Sequence, residues 1–138
     1  MPSKDIIHEA VKNALIKDGW TITADPYTIK YEEIKLFADL AAERPLLAER
    51  EGQKIVVEVK SFISASFLHD LEKAIGQYVI YRNFLAVTAF DSDLYLAIND
   101  RTYTGFFQQK AIRLIVQQNQ IRLIVVDVET EVITQWIR

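Results

Sequence analysis

A run of mainly β-branched residues, Ile55-Val56-Val57-Glu58-Val59-Lys60, constrains the fold more than any other stretch of the chain. Such a run predicts a buried strand. Successive side chains of a strand point to opposite faces, so Glu58 and Lys60 share a face with Val56 and Phe62. Removing a charge from water costs several kcal/mol unless the charge is paired or bound to a metal. These two charges in apolar surroundings therefore indicate a functional role.

Composition limits the class of protein and of site. The 138 residues fit one domain, 1–138, with half of the residues hydrophobic and a quarter charged. Cysteine is absent, which excludes a disulfide framework or a thiolate metal site and fits a cytoplasmic location. With His8 and His69 as the only histidines, a histidine-rich metal cluster is excluded too. No signal region and no apolar run of roughly 20 residues are present, so no membrane association is expected.

The net charge of −3 and the pI near 5.4 give the chain no overall basic character. This argues against nucleic-acid binding. A site built from metal-binding carboxylates adds negative charge, however, and a basic groove can coexist with an acidic remainder. Charge alone therefore leaves a DNA-binding function open.

Periodicity predicts one helix followed by strands in the first half of the chain. Apolar residues recur at helical spacing from Ile6 to Leu15, with Ser3 as the cap and Gly19 as the stop. Glu51-Gly52 predicts the tip of a hairpin. Strands are expected at Trp20–Thr23, Tyr27–Tyr31, 34–40 and Lys54–Phe62, with an interruption at Pro45.

The second half predicts two helical regions separated and followed by strands. Ser64 or Ser66 caps a helix of about 20 residues that directs Leu68, Leu71, Ile75, Tyr78, Val79 and Leu85 toward a core. After a loop at Asp91-Ser92-Asp93, the further elements are a strand at Leu94–Ile98, a helical stretch at 103–118 broken near Gln109, and strands at Ile121–Val126 and Val132–Ile137. The fold class is α/β, with a mixed central sheet flanked by helices.

Asp39 resembles Glu58 in interrupting an apolar run. A hairpin between them would place the two carboxylates side by side, and Lys60 lies about 6.6 Å beyond Glu58 on the same face. Carboxylates that hold Mg²⁺, together with a nearby cation, are the groups that phosphoester hydrolysis needs. The alternative is a solvated Glu-x-Lys pair on an exposed face, which Val56 and Phe62 argue against.

These residues resemble the PD-(D/E)XK motif of restriction-endonuclease-like nucleases, with Ala38 in place of the motif's proline. The resemblance implies that Asp39, Glu58 and the Val59 carbonyl hold Mg²⁺ or Mn²⁺. It also implies that Lys60 activates water or stabilises the transition state.

Two further positions extend the resemblance. Gln77 and Tyr81 match the Gln-x-x-x-Tyr signature of the RecB-type branch and lie one turn apart on one helix face. Glu9 resembles the first-helix glutamate that some of these enzymes use as an additional metal or water contact.

Longer blocks resemble the XisH family, the fdxN element excision controlling factors of cyanobacteria. The blocks are Leu36–Leu40, Ile55–Phe62, Gly76–Tyr78 and Val132–Ile137. The resemblance implies DNA, a site-specific recombinase and a companion controlling factor as partners in programmed DNA excision. Pairing of two active sites would also favour a homodimer.

Two functions follow from these resemblances. One is a magnesium-dependent DNA endonuclease that supports excision. The other is a catalytically inactive accessory protein that keeps the nuclease fold and binds DNA, the recombinase or the companion factor. Gln108-Gln109 and Gln117–Gln120 read as solvated surface or, alternatively, as a subunit interface.

Overall fold

The computed structural model describes residues 4–32, 34–36, 46–89 and 91–138. The helices and strands in these residues are α1 (Lys4–Lys17), β1 (Thr21–Ala24), β2 (Ile29–Tyr31), β3 (Ile34–Leu36), β4 (Leu46–Arg50), β5 (Gln53–Val59), α2 (Phe67–Thr88), β6 (Ser92–Asn99), α3 (Asp100–Gly105), α4 (Lys110–Gln118), β7 (Leu123–Asp127) and β8 (Val132–Ile137). The predicted cap Ser3, the carboxylate Asp39 and the interruption at Pro45 lie outside the described residues.

Six of the described strands form a mixed sheet in the order β1-β4-β5-β6-β7-β8. The central strands β5, β6 and β7 are parallel, while β1, β4 and β8 run antiparallel to the strands beside them. Helix α2 connects β5 to β6, and α3 and α4 connect β6 to β7. The predicted α/β class with a mixed sheet is confirmed, and none of the helices described here is long and apolar enough to cross a bilayer.

Alternation along β5 divides the core into two layers. Val57 and Val59 are fully buried on the face covered by α1, where Val11 is also fully buried. Val56 lies on the opposite face, against α2 and α4. The period of two places Glu58 on the same face as Val56. Strand β5 is therefore buried on both faces, as its apolar sequence predicts.

The predicted hairpin tip at Glu51-Gly52 is confirmed. Arg50 pairs with Gln53 across a two-residue loop, and the φ angles of Glu51 and Gly52 are +51° and +82°. Positive φ at both central residues gives a turn whose twist matches that of the flanking strands. This loop sets the register of β4 against β5, with Leu46 opposite Val57.

Strand pairing before residue 50 differs from the sequence prediction. Five strands, and not the four expected, lie between α1 and α2, and β1 pairs with β4 at the sheet edge. The expected strand at 34–40 does not run beside β5 in its described part. Instead, residues 34–36 pair with β2 in a separate two-stranded sheet. Strands of three or four residues carry too little pattern to fix their partners, so tertiary contacts decide the pairing.

Three assignments in the second half also need correction. Leu68 is 56% exposed because the stripe of α2 that faces the sheet runs through Leu71, Ala74 and Tyr78. Strand β6 begins at Ser92, inside the predicted loop, and the helical region begins at Asp100. The break near Gln109 is confirmed, since this residue caps α4.

The hairpin turn provides a stability test with a matched control. Gly52→Ala is expected to lower the free energy of unfolding by roughly 1 kcal/mol, because a side chain is disfavoured at positive φ. Gly76→Ala in α2 is expected to raise it by up to about 1 kcal/mol, since alanine favours a helix. A Cβ atom at either position meets no atom within 4 Å, so the backbone conformation alone separates the two variants. Urea denaturation measures both, and equal effects would contradict the assigned turn.

Candidate functional site

Glu58 lies near the carboxyl end of the central strand β5. It stands opposite Leu96 in the parallel ladder with β6, and only 1% of its surface is exposed. This burial rules out the alternative of a solvated Glu-x-Lys pair on an exposed face. A carboxylate in such surroundings is a candidate for metal or proton chemistry.

Helix α2 presents two tyrosines to the electric field of Glu58. Burial, and then the negative charge of Glu58, raises the pKa of Tyr81 from 10.0 to about 12. Burial also raises the pKa of Tyr78, and the charge of Glu58 adds to that rise. Tyr81 is 4% exposed and packs in the same core layer as Val56, which shares a face of β5 with Glu58. Two of the predicted site residues, Glu58 and Tyr81, therefore lie on the same side of the sheet.

Tyr78 was predicted only as a core residue, but it also makes two polar contacts. Its hydroxyl donates to the Leu94 carbonyl at 2.9 Å and accepts from the Arg122 N–H at 3.0 Å. These bonds tie α2 to β6 and to the residue before β7. They fix the position of the helix that carries Tyr81. A tyrosine among aliphatic residues on a helix face is the sequence signal for such a bond.

Lys60 continues the line of β5 by one residue. Its N–H donates to the Ala97 carbonyl at 3.0 Å, which extends the pairing of β5 with β6. The side chain of Lys60 is half-buried, whereas Ser61 and Phe62 are buried. The Lys60 side chain therefore lies at the boundary between the core and the solvent at this end of the strand.

The loop that follows Lys60 is held by the first turn of α2. The Asp70 carboxylate accepts the Ser64 N–H at 3.1 Å, and the Ser66 hydroxyl accepts the His69 N–H at 3.2 Å. Ser66 is therefore the observed cap among the two predicted. Asp70 is 7% exposed and was not predicted as a structural residue. An acidic residue in the first turn of a helix is the signal that identifies it.

An aromatic cluster lies beside this loop. Phe62 stacks on Phe67 with ring centroids 5.1 Å apart, and Phe67 stacks on Phe106 at 4.1 Å. Phe107 meets the edge of Phe62 at 5.7 Å. These rings join the loop after Lys60 to the segment between α3 and α4. Phe106 remains 41% exposed at the border of the cluster.

The other predicted site residues lie apart from this pair or outside the described residues. Glu9 is exposed on α1, which covers the sheet face opposite to that of Glu58. Gln77 is half-buried, one turn before Tyr81 on α2. The Val59 side chain packs in the α1 layer, so only its carbonyl is left for a metal. Asp39 lies outside the described residues, and its role stays a prediction.

A metal needs more donors than the described residues supply on their own. No group of three or more Asp, Glu, His or Cys side chains that could hold a metal occurs within residues 4–32, 34–36, 46–89 and 91–138. Glu58 is one suitable oxygen donor, and magnesium in proteins is commonly held by one or two carboxylates plus waters. The described residues thus offer one buried carboxylate at this position, and the second donor expected from the sequence, Asp39, lies outside them.

Comparison with known proteins gives the family. A family model described as "XisH protein" matches residues 1–134. The chain belongs to the XisH family. Two solved structures support this assignment at the level of the whole fold. Comparison with curated proteins gave no match.

The first structure is an XisH family protein from Nostoc punctiforme PCC 73102, with 42% identity and a TM-score of 0.90. It covers 97% of this chain, and the alignment spans 100% of the Nostoc chain. The second is an fdxN element excision controlling factor protein from Anabaena variabilis, with 45% identity and a TM-score of 0.90. The alignment covers 98% of this chain and 100% of the Anabaena chain. This XisH chain therefore shares its entire fold with both relatives.

The coupling of Glu58 to Tyr81 can be measured directly. In Glu58→Gln, we expect the pKa of Tyr81 to fall from about 12 toward 10.0 without reaching it, because the charge is lost while the burial remains. ¹³C NMR of tyrosine-labelled protein follows this titration. Tyr95 is the internal control, since burial and the charge of Asp93 raise its pKa without a contribution from Glu58. An unchanged pKa of Tyr81, or equal pKa shifts of Tyr81 and Tyr95, would contradict the placement of Tyr81 near Glu58.

Proposed function

We propose that this XisH family protein is a DNA element excision controlling factor that acts as a magnesium-dependent endonuclease of the PD-(D/E)XK type. One observation carries the proposal: the Glu58 carboxylate is 1% exposed near the carboxyl end of a central parallel strand. Ligands of open α/β sheets bind beyond the carboxyl ends of the strands. Lys60 follows Glu58 at that end, and Tyr81 of α2 is buried in the core layer on the same side of the sheet.

Each of these residues has a role in phosphodiester hydrolysis. Asp39, Glu58 and the Val59 carbonyl would hold the metal, with Glu9 as an additional contact. When bound, magnesium supplies Lewis-acid polarisation of the phosphate and a more acidic water. The half-buried ammonium of Lys60 stabilises negative charge on the attacked phosphate.

Tyr81 and Gln77 complete the polar surroundings of the site. The phenol of Tyr81, whose pKa is raised to about 12, is a neutral hydrogen-bond donor up to strongly alkaline pH. Gln77, one turn earlier on α2, offers an amide that both donates and accepts. A neutral donor next to a carboxylate orients that carboxylate without competing for the metal. These two residues are therefore positioning residues in the proposed mechanism.

DNA is the proposed substrate because of the Anabaena relative. That protein is named as an fdxN element excision controlling factor, and it is 45% identical over 98% of this chain. Excision of a DNA element requires phosphodiester bonds to be broken and joined. The proposed partners are DNA, a site-specific recombinase and a companion controlling factor, and a homodimer would pair two sites across the two DNA strands.

A second candidate is a catalytically inactive accessory protein that binds DNA, the recombinase or the companion factor. Two observations favour it. The relative is named as a controlling factor, a term that requires no cleavage activity. Within the described ranges, moreover, Glu58 does not belong to a cluster of three potential metal ligands.

Cleavage assays with purified protein test the nuclease proposal. Duplex, branched and single-stranded DNA are incubated with Mg²⁺ or Mn²⁺. We expect Asp39→Ala, Glu58→Gln and Lys60→Met each to lower the cleavage rate by roughly 100-fold or more, because each removes a metal ligand or the cation that stabilises the transition state. Glu72→Gln and Lys73→Met are the matched controls, since both side chains are exposed on α2.

The nuclease proposal fails if the wild-type protein cuts none of these substrates with either metal. It also fails if the Glu58→Gln and Lys60→Met variants cut as fast as the two controls. An excision reporter in cells then tests the accessory role. Normal excision with the combined Asp39→Ala and Glu58→Ala substitutions would support the accessory protein and rule out the nuclease.

A further inference from the structure

One segment of this acidic chain carries only positive charge. Residues 101–126 contain no aspartate or glutamate but include four basic residues, whereas the whole chain has a net charge of −3. The segment comprises most of α3, all of α4 and most of β7. The acidic residues of the chain are therefore concentrated elsewhere.

Three neighbouring depressions are lined by residues of α4 together with the segments on either side of it and the end of β8. Their volumes are about 430, 540 and 130 Å³. Gln117 lines all three, so they form one continuous surface. We call this surface the α4 groove. Its side chains include no carboxylate, and its polar members are Tyr103, Lys110, Arg113, Arg122, Arg138 and the glutamines Gln108, Gln117 and Gln120. The rest of its lining is apolar and includes Leu114, Val116 and Ile137.

The polar side chains of α4 form one exposed row. Lys110, Arg113 and Gln117 are exposed and follow each other at three- and four-residue spacing, which places them on one face of the helix. Their backbone positions span about 10 Å along the axis, which corresponds to roughly three nucleotide steps of one DNA strand. Ile112 on the other side is buried in the core and holds the helix to the sheet.

The positive charge of the α4 groove is only weakly compensated. Within the described part of the chain, no ion pair joins Lys110, Arg113 or Arg138 to a carboxylate, and Arg122 approaches Asp93 only at 4.0 Å. The carboxyl end of α4 also has a positively charged partner. Arg82 donates to the Asn119 carbonyl at 2.6 Å and thereby offsets the negative end of the helix dipole.

We propose that the α4 groove binds the phosphate backbone of duplex DNA. Arginine, lysine and glutamine side chains are the groups that make such phosphate contacts. No carboxylate side chain stands among the residues that line the groove, so none of them repels a phosphate group. The groove also adjoins the candidate site, because Phe107, just before α4, contacts Phe62, just after Lys60.

The proposal rests on the proposed function in taking the polyanion to be DNA, but not in requiring cleavage. It is tested by fluorescence anisotropy with a labelled 30-base-pair duplex in EDTA, over a series of salt concentrations. The combined variant Lys110→Gln with Arg113→Gln should weaken binding and reduce the slope of log K against log salt by about 2, or about 1 for each phosphate contact.

The control removes the same charges at other exposed helix positions. Lys73→Gln combined with Arg101→Gln should keep the slope of the wild-type protein, since Lys73 lies on α2 and Arg101 is paired with Glu129 at 3.0 Å. Glu58→Gln should bind the duplex at least as tightly as the wild type. If the wild-type protein binds through Lys110 and Arg113 but cuts no substrate with Mg²⁺ or Mn²⁺, the groove stands and the nuclease proposal falls.

Several results would overturn the α4 groove as a DNA site. One is a combined Lys110 and Arg113 variant with unchanged affinity and slope, and another is an equal loss in the Lys73 and Arg101 control. A wild-type protein that does not bind the duplex would also overturn the proposal. A wild-type protein that binds poly-glutamate but not the duplex would indicate that the partner of the α4 groove is an acidic protein.

Discussion

The rest of the structure depends on the burial of β5 on both faces. Val57 and Val59 face α1, while Val56 and Glu58 face α2, so both helix layers are positioned by one strand. A charged group in such a strand must be compensated within the protein or by a bound ion. The position of Glu58 is therefore set by the same alternation that builds the core. Its charge reaches α2, where it raises the pKa of Tyr81.

The candidate site and the α4 groove are connected through the aromatic cluster. Phe62 lies two residues after Lys60, and Phe107 precedes α4, so their contact at 5.7 Å joins the two regions. The α4 groove carries positive side chains, whereas the acidic residues lie in other parts of the chain. The proposed DNA binding of a protein with net charge −3 is consistent with this separation, because binding depends on local and not on net charge.

The sequence predicted the features that have strong local signals. These include the mixed α/β fold, the Glu51-Gly52 turn and a helix cap at either Ser64 or Ser66, of which the structure shows Ser66. The partners of β1 and β2 were not predictable. Strand β1 pairs with β4 and β2 pairs with β3, and tertiary contacts decide the pairing of strands of three or four residues. The electrostatic coupling of Tyr81 to Glu58 was implied by the family resemblance alone. The α4 groove was missed because each of its glutamines, taken singly, reads as solvated surface.

The central claim is that Glu58 is a metal ligand. Crystals of the full chain grown with Mn²⁺ test it most directly through anomalous scattering. We predict an anomalous peak within coordination distance of the carboxylates of Glu58 and Asp39. The Glu58→Gln substitution is expected to abolish this peak. A structure with an ordered Glu58 and Asp39 but no peak between them, or with Mn²⁺ bound only elsewhere, would contradict it.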